Sequence, residues 1–394
     1  MTTERPALPF DRPRPLEPPP EYARLRGSAP VAPVTAPDGR QAWLVTSYDA
    51  VATVLSDPRF GLAPGGDASP GNDTLFQDGE AHLRLRRLVS KAFTPRSVAA
   101  LRPRIERHAA ACVAALAEAG PPADLVRDLA APLSITVIGD LLGVTIEERE
   151  HFRRLADAAG SADFTHGGEE ELAAAAQAWG ALGEYASGLV AAKREAPGDD
   201  LLSALIAVRD SGDGRLGDGE LTGMATTVVA AGYSTVCNAV SAGTLRLLTE
   251  GRLRELASAG SGQAEAAVEE VLRMQAGLTG EPFPRYAHED LELGGVPVSA
   301  GDLVLVRLEG AGRDPEHFTE PDRFDPGRRS GPSLTFGHGP HYCLGAALAR
   351  AEAGAALCAL ARRLPGLRLQ GTAEDVPWAR GGADSGPTSL SVEW

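Results

Sequence analysis

Cysteine is scarce in this chain of 394 residues: Cys112, Cys237, Cys343 and Cys358 stand far apart, mostly inside apolar runs. Such spacing argues against a disulfide framework and suits a reducing cytoplasm. Positive charge is outweighed, with 38 Lys and Arg against 53 Asp and Glu and a formal net charge of −15. That balance argues against nucleic acid or an anionic membrane surface as the main partner. No stretch offers the apolar core of a signal peptide, and none reads as a membrane anchor. A low-complexity linker is missing too, so a length that could hold two or three average domains reads as one.

Residues 1–37 are rich in proline and read as an extended arm, with strand character beginning at Gln41 to Thr46. Residues 38–394 read as a single domain. Ala- and Leu-rich segments with helical periodicity cover 49–56, 80–92, 96–118, 125–142, 146–158, 170–194 and 199–211. Short strand-like pieces come late, at 291–298, 303–307 and 367–369, bounded by Gly, Pro or Asp. The fold class expected is therefore mainly α with a small β-sheet region. One helix should run from an N-cap at Asp218 to Gly251 as its C′ residue. At about 1.5 Å per residue it would extend roughly 45 Å, enough to cross the whole molecule. Its interior from Met224 to Asn238 carries no charge, so it must be buried on most faces.

The most informative stretch is Phe336-Gly337-His338-Gly339-Pro340-His341-Tyr342-Cys343-Leu344-Gly345. It sets one cysteine in a glycine-rich turn directly before an apolar helical run. A thiolate where a loop meets a helix N-terminus is favoured by the dipole and free amides, and glycine lets backbone approach a large flat ligand. Taken alone, Cys343 is also compatible with a small core hydrophobe, or with zinc shared with His338 and His341. Zinc fares poorly, because no second cysteine or histidine cluster lies nearby to complete a tetrahedral site.

The pattern F-G-x-G-x-H-x-C-x-G, matched at all six fixed places, resembles that of the haem-thiolate monooxygenases of the cytochrome P450 family. The resemblance extends from about residue 40 to the end. It implies a single catalytic domain shaped as a triangular prism, with haem b (iron protoporphyrin IX) between the long helix and the cysteine loop. Cys343 would be the axial iron ligand, with Phe336 and Gly337 in the loop around it and His341 on a haem propionate. Ala231-Gly232-Tyr233-Ser234-Thr235 is similar to the family's oxygen-binding segment A/G-G-x-D/E-T, with Thr235 at the place of the threonine that hydrogen-bonds dioxygen. Ser234 departs from the pattern: it stands where the family usually has a carboxylate and can pass protons only through water. Hydroxyls at 234 and 235 beside Gly232 also suggest a local bend of the helix that opens a groove.

Glu270 and Arg273 match E-x-x-R, a spacing that in isolation describes an ordinary surface pair. By resemblance they form a buried network, closed by Arg323. His82 and Arg86, one helical turn apart, and Arg285 match positions that hold propionates, although His82 and Arg86 also fit a solvated basic face with Arg84, Arg87 and Lys91. The expected partners are O2 and an acidic ferredoxin with its ferredoxin reductase. Arg84, Arg87, Lys91, Arg350 and Arg362 are the candidates for a basic docking patch.

Pocket contacts are expected from 61–79, 160–191, 277–284 and 384–388, with Phe164, Met224, Val228, Ala231, Tyr233 and Phe283 as candidate lining residues, any of them equally suited to the core. The leading functional reading is oxidation of a small hydrophobic natural-product intermediate, by hydroxylation or by radical coupling of an aromatic such as an indole or phenol. Two rivals remain: NADH-dependent nitric oxide reduction, since family members doing this also lack the acid, and a non-catalytic haem binder.

Overall fold

The computed structural model describes residues 5–64, 74–90, 93–160, 169–208, 216–277, 283–329, 331–379 and 385–394. The helices are α1 Pro20–Ser28, α2 Tyr48–Ser56, α3 Gly79–Val89, α4 Pro95–Ala119, α5 Ala131–Leu142, α6 Arg149–Gly160, α7 Glu169–Glu195, α8 Leu201–Val208, α9 Asp218–Thr249, α10 Glu255–Ser258, α11 Ser261–Met274, α12 Leu308–Ala311 and α13 Ala346–Arg363. The strands are β1 Val31–Thr35, β2 Gln41–Val45, β3 Phe60–Gly61, β4 Ala123–Asp124, β5 Arg285–Ala287, β6 Leu291–Leu293, β7 Val296–Val298, β8 Leu303–Val306, β9 Arg368–Leu369 and β10 Ser391–Glu393. The mainly α architecture with a minor sheet is the one expected. The largest sheet has the order β1-β2-β8-β5-β3, in which β2 and β8 run parallel and the other pairs antiparallel. All four residues of β8 are buried, which accounts for its unbroken apolar reading.

Helix α9 organises the rest. Asp218 is its first residue rather than its cap; the Glu220 carboxylate instead accepts the Gly217 N–H at 2.7 Å. Both acids favour the positive end of the helix dipole. The other end closes as anticipated, with Gly251 at φ 66°. Helices α5, α7 and α13 pack along it. Its length and hydropathy would allow it to cross a membrane, yet 67% of the qualifying window is buried inside the protein, as for a core helix. Gly232 faces α5, where a Cβ would come within 2.5 Å of the Ile138 Cδ1. Glycine at this position thus answers to close helix packing.

The expected extended arm is extended only in part. Pro19 and Pro20 pre-set the start of α1, and β1 then pairs with β2 from Val31↔Val45 to Thr35↔Gln41. Before α1 the chain is strapped down by charge. Arg12 meets the buried Glu309 at 2.6 Å, and Glu17 meets the buried Arg246 at 2.8 Å.

Helix α13 packs mainly against α4 and α9 and buries Glu352 completely, with neither carboxylate oxygen partnered among the described residues. Burial alone pushes this carboxyl well above the ordinary range, so it stays protonated in the folded protein while an unfolded glutamate ionises. The folded state then binds more protons, and stability is lost as pH rises above the unfolded value of about 4.3, at up to roughly 1.4 kcal/mol per pH unit. Glu352→Gln, neutral in both states, should match wild type near pH 4 and become progressively more stable than it towards neutrality. Urea unfolding of the haem-loaded protein across this range checks the slope; parallel pH profiles would refute it.

Candidate active site

The cysteine loop closes on itself through three backbone bonds: Cys343 N–H to Phe336 O at 2.9 Å, Gly337 N–H to Leu334 O at 2.8 Å and Tyr342 N–H to Gly339 O at 3.1 Å. Two of its glycines require their residue type. Gly337 and Gly339 lie at φ 75° and 70°, and a Cβ on Gly339 would meet the Leu55 carbonyl at 2.4 Å. The loop delivers Cys343 just ahead of α13, whose N-cap is Gly345. Desolvation pushes the thiol pKa up, opposed by a hydrogen bond from the Gly345 backbone and the positive charges of Arg86 and Arg350. Arg350 lies over the Phe336 ring at 4.4 Å and pairs with Glu269, bracing the loop against α11 and α13.

A set of polar side chains converges beside this loop. Arg285 on β5 is 4% exposed and donates to the Phe283 carbonyl at 2.5 Å; Arg86 on α3 donates to the Tyr342 carbonyl. Among the described residues neither guanidinium has a carboxylate within 4 Å. Desolvation disfavours the charged form of each. Two such cations need an anion, and the carboxylates of a haem edge would meet that need. His341 donates from its Nε2 to the Asp78 Oδ1 at 3.0 Å, leaving Nδ1 as the ring's remaining polar atom. His82 is buried, with Nδ1 at 3.0 Å from the Leu75 carbonyl and Nε2 at 3.2 Å from the Pro340 carbonyl; a neutral imidazole can donate to one of the two. Asp78, absent from the expected set, accepts the Leu62 N–H at 2.5 Å as well as meeting His341. Burial would raise its pKa, but these two hydrogen bonds outweigh that and hold it below the usual carboxylate range.

On α9 the Thr235 hydroxyl donates to the Ala231 carbonyl at 2.5 Å, four residues back. Ala231 itself is exposed, although it lies in the middle of the uncharged, mostly buried stretch. An exposed alanine there and an exposed thiol at Cys343 are what an apolar flat cofactor would cover. The residues present therefore fit haem. Tyr233 does not serve a pocket: it is buried, and its hydroxyl donates to Asp157 Oδ1 on α6 at 2.6 Å, which with burial raises its pKa. Met224 and Val228 are core. Phe164 and Lys91 lie outside the described residues. Phe283 is 52% exposed and meets Phe76 with ring centroids 4.6 Å apart; Leu62, Phe76, Phe283, Pro284 and Tyr286 line a cavity of about 180 Å³. Phe76 was not anticipated, since a lone aromatic in a polar loop carries no periodic signal.

The buried network behind the loop also needs one correction. Glu270 pairs with Arg273 through two bonds of 2.7 and 2.8 Å, and both are buried. The second arginine is Arg328, not Arg323: Arg328 Nε reaches Glu270 Oε1 at 3.3 Å with its side chain only 9% exposed. Arg323 is exposed and pairs locally with Glu320 at 2.8 Å. The turn after Asp325, whose N–H also binds Glu270 at 2.9 Å, swings Arg328 inward. The Asp325-Pro326-Gly327 turn signal was the readable clue.

With this geometry in hand, the fold and cysteine loop define a haem-thiolate class of protein. A cytochrome P450 family model matches residues 264–365. The chain is 39% identical to nocardicin C N-oxygenase of Nocardia uniformis subsp. tsuyamanensis over 402 residues, covering 100% of this chain and 99% of that one. It is 38% identical to the cytochrome P450 monooxygenase PikC of Streptomyces venezuelae, covering 96% and 91%. Among solved structures, a Streptomyces peucetius P450 in complex with a biphenyl compound superposes with a TM-score of 0.90 at 36% identity, covering 100% of both chains. A P450 described as having biaryl coupling reactivity gives 0.88 at 34% identity, covering 99% of this chain and 100% of that one. The chain belongs to the cytochrome P450 family, and it is a monooxygenase-type oxidoreductase whose cofactor is haem.

The Glu270 network gives a paired test. Arg328→Ala should cost about 2 kcal/mol, because it removes a charged hydrogen bond from a buried carboxylate. Arg323→Ala, at an exposed pair, should change stability by less than about 0.5 kcal/mol. Denaturant midpoints of the two haem-loaded variants decide which arginine closes the network.

Proposed function

We propose that this protein oxidises a small hydrophobic natural-product intermediate carrying an aromatic ring, in the cytoplasm, with Cys343 as the haem ligand. The observation that carries this reading is the cavity bounded by Leu62, Phe76, Phe283, Pro284 and Tyr286. Its volume of about 180 Å³ is on the scale of one aromatic ring, and it opens to the surface. Three aromatic side chains around it supply tilted ring contacts. Haem supplies activation of dioxygen with two electrons. The chain's own residues then fill distinct roles. Arg86, Arg285 and His341 hold the propionate side, and Gly345 N–H with the α13 dipole steadies the sulfur. Thr235 keeps a hydroxyl over the exposed Ala231, and with serine at 234 protons reach it along hydroxyls and water. A relative named as a mycinamicin IV hydroxylase/epoxidase and the solved neighbour with biaryl coupling reactivity support hydroxylation and ring coupling as reaction types.

For the electron donor we favour an acidic ferredoxin at the surface depression lined by Leu83, Arg86, Arg87, Ser90 and Thr94. Leu83 is 47% exposed and Arg87 is exposed beside it, an apolar centre with a basic rim. Arg84 and Arg350 contribute less, being paired with Glu220 and Glu269. Arg362 is exposed on α13.

The test is optical titration with indole and 4-phenylphenol. Each should shift the haem spin state, and Phe76→Ala or Phe283→Ala should weaken binding about 3- to 10-fold, the equivalent of about 0.5–1.5 kcal/mol for an aromatic pair. Ile146→Ala, at an exposed residue outside the segments expected to line the pocket, should not. Unchanged affinity in both phenylalanine variants, or nitric oxide consumption driven by NADH alone, would overturn the reading. Cys343→Ser should abolish the thiolate spectrum of the ferrous carbonyl adduct; retention of it would remove Cys343 from the role.

A further inference from the structure

We propose that Asp78 is a positioning residue that fixes His341 towards the haem edge and ties that edge to the wall of the aromatic cavity. The inference rests on the reading that His341 meets a propionate. Asp78 precedes α3 and its carboxylate is split between two tasks. One oxygen lies 3.0 Å from His341 Nε2; the other accepts the Leu62 N–H at 2.5 Å. With Nε2 occupied, the imidazole can address the cofactor only through Nδ1, and its ring plane is set by the carboxylate behind it. The tautomer and tilt of His341 are thus fixed by a residue that never touches the haem.

The surroundings are built for this arrangement. Gly61 leaves room for both side chains as they stand, since a Cβ there would fall 2.8 Å from Asp78 Oδ2 and 2.3 Å from the His288 ring. His288 Nε2 in turn lies 3.0 Å from the Ala63 carbonyl, so the 61–63 segment is pinned on both sides of Leu62. The His82 ring sits 4.0 Å from that of His341, closing its other face. Arg285 lies near enough for its charge to act on Asp78, yet holds only backbone carbonyls among the described residues. The nearest alternative account is structural: Asp78 anchors Leu62 and the His341 contact is incidental.

Haem loss to excess apomyoglobin separates these accounts without reading catalytic turnover. Asp78→Asn keeps an oxygen acceptor for the Leu62 N–H but loses the charged partner of His341. Asp78→Asn and His341→Ala should each speed haem loss by about tenfold, and the double variant should be no faster than His341→Ala alone, because both act through one imidazole. If Asp78→Asn releases haem at the wild-type rate, or if its factor multiplies in full on the His341→Ala background, the proposal is overturned while the role of His341 stands. If His341→Ala itself leaves haem loss unchanged, the propionate reading fails and takes this inference with it. Circular dichroism of each variant confirms that the comparison is between folded proteins.

Discussion

The bond from the Cys343 N–H to the Phe336 carbonyl is the constraint on which the site depends. It closes an eight-residue loop whose backbone could not follow that path with side chains at Gly337 and Gly339. The loop alone would be a weak platform, because its own hydrogen bonds are few and its residues are largely exposed. Its rigidity is borrowed. Arg350 holds Phe336 from α13, Arg86 holds Tyr342 from α3, and His82 holds Pro340 from the same helix. The sulfur is therefore positioned by three side chains from two helices, with Glu269 of α11 tethering one of them.

The same economy appears in the substrate half. Leu62, whose side chain lines the aromatic cavity, gives its N–H to Asp78, and Phe283, opposite Phe76 in that cavity, gives its carbonyl to Arg285. Cavity wall and haem cradle share backbone groups, so neither can be repacked independently of the other. Serine stands at position 234 of α9, where the family pattern usually has a carboxylate, while α6 meets α9 through the neighbouring pair Tyr233 with Asp157. Gly160 of α6 lies beside Ser234, its notional Cβ 3.6 Å from the Ser234 Cβ.

What could be read from the sequence was whatever is local. Helices α2, α4, α7 and α9 follow from periodicity within a residue or two, and the cysteine loop from six fixed positions in ten. What could not be read was which of several like residues is turned inward. Arg323 and Arg328 stand five apart in one polar turn, and only the path of the chain after Asp325 decides between them. Asp78 stood in no expected set, because its partners Leu62 and His341 lie 16 and 263 positions away and no local pattern marks such contacts. Tyr233 suited either the pocket or the core, and only the position of Asp157 on α6 shows that its hydroxyl is turned to a partner inside the protein. The proline-rich arm misled in the opposite direction, since composition favours extension but the proline run also opens α1.

The strap ahead of α1 carries a consequence for biogenesis. Arg12 finds Glu309 across 297 positions, and Glu17 finds Arg246 across 229. During synthesis the strap leaves the ribosome long before either partner exists, and contacts that span so much chain form late because the intervening loop must first be closed. The strap is thus among the last segments to be seated, and its prolines and alternating charges keep it solvated while it waits. Any carrier fused ahead of it would be held against the α9–α12 side of the finished molecule, so the length and stiffness of the join would govern whether that final closure can occur.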